Sequence, residues 1–204
     1  MQLNRKLTPE LNSIDKIKIV EAEKICLSNG IDHYIINAGT QDVIKMDLIF
    51  EAGDEHHALK VVGQATNHLI DDGTKNKSAV QIASEIESIG ASIECNCDIH
   101  NATITLYVLG KFFEPALKLI YELICEADFP ENEVSIYAHR NKQQLLVNSE
   151  KVNFIAQQEF RKALFGSTHI YGRNQEGSDF DKIDRKSTRL NSSHVSESRM
   201  PSSA

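Results

Sequence analysis

The chain has 204 residues, with 22 Lys/Arg against 29 Asp/Glu and a formal net charge of −7. An acidic balance of this kind argues against nucleic acid or an anionic membrane surface as the main partner. No apolar run approaches the roughly 20 residues that a membrane-spanning helix requires, and the first residues lack the apolar stretch of a secretory signal, so the cytoplasm is the expected compartment.

The C-terminal end changes character abruptly. Residues 184–204 are rich in Ser and Arg and show no apolar periodicity. They back-translate onto the two constant parts of a short-read sequencing adapter, with Val195, Ser196 and Glu197 falling in its variable index. We therefore read 184–204 as a translated adapter, disordered and outside the fold, and 1–183 as one domain. That tail holds four basic side chains (Arg185, Lys186, Arg189, Arg199) and two acidic ones (Asp184, Glu197), which leaves 18 basic and 27 acidic residues, net −9, in the body.

In chain order, 24–28 and 33–37 are apolar-rich segments flanking Asn29-Gly30, a hairpin signal. Residues 42–50 alternate, with Ile44, Met46, Leu48 and Phe50 on one face, as a half-buried strand does. Asp54-Glu55-His56-His57 contains metal-ligand residue types, but neighbours on a loop rarely converge on one ion, and we read them as a solvated run before a helix. A helix is predicted over 59–69. Asp71-Asp72-Gly73-Thr74 lacks the spaced oxygen ligands of a calcium loop and reads as a turn that ends this helix.

Ser78 is placed to cap the next helix, whose apolar stripe is Val80, Ile82, Ala83, Ile86 and Ile89, with Gly90 ending it. Strands follow over 91–96 and 101–109, the second rich in Thr and Val. Residues 114–126 are amphipathic through Ala116, Leu117, Ile120, Leu123 and Ile124, and Phe129-Pro130 breaks the pattern. Helices over 131–148 and 152–164 complete the body. This order predicts an α+β two-layer sandwich, an antiparallel sheet with helices on one side.

Four cysteines (Cys26, Cys95, Cys97, Cys125) are too few and too scattered for a disulfide framework. Cys95 and Cys97 face the same side of a strand, and only Asp98 and His100 stand near enough in sequence to extend them into a metal site. Reduced, packed thiols are the better reading.

The segment 63–90 carries the most specific signal. Gly63, Gly73, Thr74, Ser78, Ala79, Gly90 and Ala91 frame five positions that read Gln64-Ala65-Thr66-Asn67-His68. With Phe129-Pro130-Glu131-Asn132-Glu133, Leu164-Phe165 and His169-Ile170-Tyr171-Gly172, this resembles the N-terminal domain of peptidase family M16, the insulinase/pitrilysin family. The family's five residues are HxxEH, two zinc-binding histidines one helical turn apart and a glutamate that activates the metal-bound water.

Here Gln64 stands at the first ligand, Asn67 at the base and His68 at the second ligand. Spacing from the later motifs places the third ligand, a glutamate in the family, at Gln144, 76 residues beyond His68, with Leu145 the match if a loop differs by one. An amide is a poor zinc ligand and cannot take a proton from water, so none of the catalytic set is intact. His68 is read as a helix residue hydrogen-bonded at a helix–sheet junction.

The resemblance implies an M16/LuxS-like metallohydrolase fold, here lacking the final helix and sheet strand of the domain, and a fragment that would aggregate or need a partner. It implies a non-catalytic M16 subunit that binds no zinc, although active relatives do. Such a subunit would pair with a catalytic M16 homologue or second M16 domain around an extended peptide. Glu94, Cys95, Asn96 and Cys97 fall on the strand whose edge pairs with that peptide; an ordinary edge guarded by Glu94 and Asp98 is the competing reading. A metallopeptidase with divergent ligands and a peptide-binding module without a protease partner stay open as alternatives.

Overall fold

The computed structural model describes residues 19–57, 59–174 and 176–183; the segment read as a translated adapter lies outside them. Two compact units divide between Thr40 and Gln41. The first holds a hairpin of β1 (Glu23–Cys26) and β2 (Asp32–Ile35), paired antiparallel from Glu23↔Ile35 to Cys26↔Asp32. The expected hairpin is present, with a loop longer than Asn29-Gly30 alone. Leu27 N–H closes on the Ile31 carbonyl at 2.9 Å, and Asn29 Oδ1 accepts from Ile31 N–H at 3.1 Å.

In the second unit, β3 (Val43–Phe50), β4 (Ser92–Cys97) and β5 (Ala102–Leu109) form an antiparallel sheet in the order β3-β5-β4. Ile44, Met46, Leu48 and Phe50 turn to the helix layer as their alternation requires, beside Ile104, Leu106 and Val108 of β5. The helices are α1 (Lys60–Leu69), α2 (Ala79–Ser88), α3 (Phe113–Glu126), α4 (Glu131–Ser149), α5 (Val152–Phe165) and the single turn α6 (Gly177–Phe180). Ala116, Ile120 and Ile124 of α3 pack on the sheet, whereas Val61, Ala65 and Leu69 of α1 pack against Phe129, Val134 and Tyr137. The two-layer α+β arrangement is the one the order of elements predicts.

Local chemistry sets the boundaries of α2. Ser78 and Gln81 form a capping box, with Gln81 Oε1 accepting from Ser78 N–H at 2.9 Å. At the other end Gly90 has φ +60°, and the bonds Gly90 N–H to Glu87 O and Ala91 N–H to Ile86 O complete a Schellman turn. Only part of the predicted stripe turns inward. Ile82 is buried and Ile86 and Ile89 are half-buried, but Val80 is 79% exposed and Ala83 is exposed too. On α3, Leu119 takes the buried place expected of Leu117, which is exposed.

Phe129 ends α3's connection with φ +47° and no exposed surface. The left-handed backbone costs a non-glycine residue about 1–2 kcal/mol, an amount that burial of a phenylalanine, about 1.5–3 kcal/mol, offsets. Among the described residues no helix is long and apolar enough to cross a membrane.

Candidate functional site

Helix α1 carries the five motif positions between β4 and α4. Gly63 makes the approach to β4 possible: a Cβ there would sit 3.0 Å from Asp54 Oδ1 and 3.1 Å from Cys97 Sγ. One position on, Gln64 Nε2 donates to Asp54 Oδ2 at 2.9 Å. Asp54 is 1% exposed, so the reading of residues 54–57 as a solvated run fails at its first residue. A buried carboxylate must be hydrogen-bonded, and one donor to it lies ten residues further on, in the place where the family has a zinc-binding histidine.

Asn67, at the base position, is 4% exposed, and its Nδ2 lies 3.5 Å from the Thr103 carbonyl of β5. Its amide is thus turned toward the sheet. Thr66 donates to the Val62 carbonyl at 2.9 Å within the helix.

His68 is exposed and makes a helix–helix contact, not the expected helix–sheet one. Its ring packs against Tyr137 of α4 with centroids 5.1 Å apart, and Arg140 Nη2 donates to His68 Nε2 at 3.0 Å. A guanidinium only donates, so the lone pair that a metal would use is the one occupied. Arg140 is a residue that sequence reasoning passed over, although it stands four before Gln144 and hence on the same helical face. Gln144 itself is exposed, its amide donating to Asn148 Oδ1 at 3.2 Å along α4, and Leu145 is the neighbour that packs toward α1.

Strand β4 forms one edge of the described sheet, its single strand partner being β5. Glu94 and Asn96 face outward and are exposed; Cys95 and Cys97 face the helix layer, half-buried. Burial pushes both thiols up to about 12, aided at Cys95 by Asp71 and at Cys97 by Asp54 and Asp98. A protonated thiol is a poor nucleophile. Cys97 Sγ points to Asp54 Oδ1 at 3.9 Å, and all four cysteines are free. Asp98 and His100 do not complete a metal site with them: Asp98 Oδ1 accepts from the backbone N–H of His100 at 2.8 Å and of Asn101 at 2.7 Å, closing the turn.

The electrostatics around His68 are mixed. Burial raises the Asp71 and Asp72 carboxyls above their usual range, and Asp71 and Glu133 raise Asp72 further while His68 and Arg140 oppose. Tyr137 is pushed up to about 12, first by burial and then by Asp54. The Asp71–Thr74 run is the expected turn: Thr74 Oγ1 donates to Glu122 at 2.9 Å and accepts from Lys77 N–H at 3.0 Å.

These residues do not fit zinc. One motif amide is bonded to a buried carboxylate, another faces a carbonyl, and the remaining imidazole is bonded to a permanent cation. Among the described residues no group of three or more His, Cys, Asp or Glu side chains could hold a metal ion.

Solved structures with this fold include a peptidase M16 inactive domain from Pseudomonas fluorescens, matched with a TM-score of 0.78 at 22% identity over 84% of this chain and 43% of that one. A protease from Helicobacter pylori matches with 0.73 at 15% identity, over 84% of this chain and 42% of its own. The periplasmic protease PqqL from Escherichia coli matches with 0.70 at 13% identity, over 92% and 22%. The chain therefore spans less than half the length of each. The family described as Insulinase (Peptidase family M16) matches residues 35–171, and this chain belongs to it.

Proposed function

We propose that the chain is the N-terminal-type domain of a non-catalytic M16 protein, which pairs with a zinc-bearing homologue or a second M16 domain and helps to enclose extended peptides. The observation that carries this reading is the Arg140 guanidinium bonded to His68 Nε2 at 3.0 Å. A metal-binding imidazole needs that nitrogen free, and a neighbouring positive charge opposes a divalent cation.

Two further features support it. Among the described residues β4 pairs with β5 alone, and its other edge offers backbone groups to an extended peptide irrespective of the side chains at Glu94 to Cys97. Helix α5 exposes Val152, Ile155, Phe160, Leu164 and Phe165, with Phe160 67% exposed, and such a surface suits a covering polypeptide.

The test is zinc content and cleavage of unstructured peptides, measured on the intact gene product alone and co-expressed with an HxxEH homologue. Sub-stoichiometric zinc, no cleavage alone and co-purification with the homologue are expected. Stoichiometric zinc with cleavage abolished by His68→Ala overturns the reading, and recovery from the host without any such homologue favours a peptide-binding module acting by itself. A cytoplasmic location belongs to the same proposal, and fractionation against a periplasmic marker decides it.

A further inference from the structure

The motif His169-Ile170-Tyr171-Gly172 and the run that starts at Asp54 meet in a hydrogen-bonded chain that the reading above does not use. His100 sits in the loop after β4. Its Nδ1 is 2.9 Å from Glu55 Oε1, and its Nε2 is hydrogen-bonded to Tyr171 Oη. The order is carboxylate, imidazole, hydroxyl.

Backbone bonds hold the first two members in place. Glu55 N–H donates to the Ile99 carbonyl at 2.9 Å and Gly53 N–H to the His100 carbonyl at 3.0 Å, while Asp98 Oδ1 accepts from His100 N–H. The third member is fixed by stacking. Tyr171 lies 18° from parallel to His169, with centroids 5.5 Å apart, and 5.3 Å from Phe165, and it meets His100 edge-on at 5.7 Å. His56 Nε2 lies 3.7 Å from the same Glu55 oxygen.

The assignment of protons follows from what each group can do. A carboxylate accepts only, so the nitrogen facing Glu55 carries the imidazole proton. In the neutral ring Nε2 is then the acceptor for the Tyr171 hydroxyl. A nucleophile in reach of a base that a third group orients is the arrangement that activates weak oxygen nucleophiles.

We propose that Tyr171 is an activated phenol and a preferred acylation site for activated acyl donors. In the step, Tyr171 Oη attacks the acyl carbon and its proton passes to His100 Nε2, while Glu55 stabilises the imidazolium. The bond from the acyl carbon to the leaving group then breaks, and the leaving group takes the proton back from His100. The product is the Tyr171 ester and the protonated leaving group.

The experiment uses N-acetylimidazole on the whole chain, with initial acetylation rates at each tyrosine read by peptide mass spectrometry. Tyr34, 60% exposed, and Tyr121, 57% exposed, are internal references. Tyr171 is half-buried, so accessibility alone makes it the slower residue. General-base assistance, typically about 10²–10⁴-fold, is offset by the slower access to a half-buried ring, and the net expectation is a rate about tenfold above that of Tyr34. His100→Gln is expected to remove the advantage and Glu55→Gln to reduce it, with thermal unfolding followed by circular dichroism as the measure of intact folding and unchanged rates at Tyr34 and Tyr121 as the control for reagent. The proposal is overturned if Tyr171 reacts no faster than Tyr34 in the unaltered chain, a comparison that needs neither variant. It is equally overturned if His100→Gln folds and leaves the rate at Tyr171 untouched.

Discussion

Rebuilding the metal site tests the role given to Arg140. Gln64→His, Asn67→Glu and Gln144→Glu together restore the family's residue types at the positions aligned with them, once with Arg140 present and once with Arg140→Ala. Zinc binds an imidazole nitrogen at about 2.0–2.1 Å, while Arg140 Nη2 already stands 3.0 Å from His68 Nε2. The ion and the guanidinium cannot share that space, so Arg140 must swing away. With the guanidinium some 5 Å from a divalent ion, repulsion is about 2 kcal/mol in a water-like dielectric and about 7 kcal/mol at an effective value of 20. His68 and Arg140 are both exposed, so the lower figure applies, and it corresponds to roughly thirtyfold in the dissociation constant. Competition with a chromophoric chelator at neutral pH reads this ratio, and high salt is expected to shrink it. Equal zinc binding with and without Arg140, or none in either protein, refutes the argument that this residue excludes the metal.

Two other perturbations probe the scaffold. Thr74→Val removes a hydroxyl that donates to Glu122 and accepts from Lys77 N–H in a buried turn, and leaving those partners unmet is expected to cost about 1–3 kcal/mol. Thermal unfolding followed by circular dichroism should then show a Tm lower by about 2–12 °C, with Thr74→Ser close to the unaltered chain. The pH dependence turns on Asp71, whose carboxyl burial raises. An acid that holds its proton more tightly when folded favours the folded chain at low pH, and that contribution is lost as pH rises from the unfolded value through the folded one. Asp71→Asn is therefore expected to raise the urea midpoint at pH 8 and to make no difference below about pH 4, near the unfolded value; a lower midpoint at pH 8 contradicts the assignment.

Much of the scaffold was legible because it depends on local rules. The alternation in β3, the capping box at Ser78, the left-handed Gly90 and the break at Phe129-Pro130 each need only a few neighbouring residues. Val80 shares the apolar character of the stripe but not its direction: two positions from Ile82 is about 200° around a helix, the far side. Leu119 is buried in place of Leu117 for a related reason, since Ala116, Leu119, Ile120 and Leu123 make the tighter i, i+3, i+4, i+7 set. The site was less legible because its partners are remote. Nothing near Asp54 in sequence announces that Gln64 will meet it inside the fold, and nothing near His68 identifies Arg140 as its donor, 72 residues away.

The pattern of change at the motif differs from simple decay. A zinc ligand lost by drift leaves behind the polar surroundings that oriented it, and an unsatisfied buried polar group costs about 1–3 kcal/mol. Here the substituted groups have partners of their own. Gln64 supplies a donor to buried Asp54, Asn67 turns its amide toward a sheet carbonyl, and His68 is engaged by Arg140 and stacked on Tyr137. Helix α1 is held by these hydrogen bonds and by the packing of Val61, Ala65 and Leu69 against α4 and Phe129. That packing and the Thr74 and Ser78 turns do not depend on zinc, so the frame of the domain can persist when the residues at the motif positions change. The retained frame and the replaced ligands thus follow from one cause: the interactions that shape the domain are physically separate from those that would perform its chemistry.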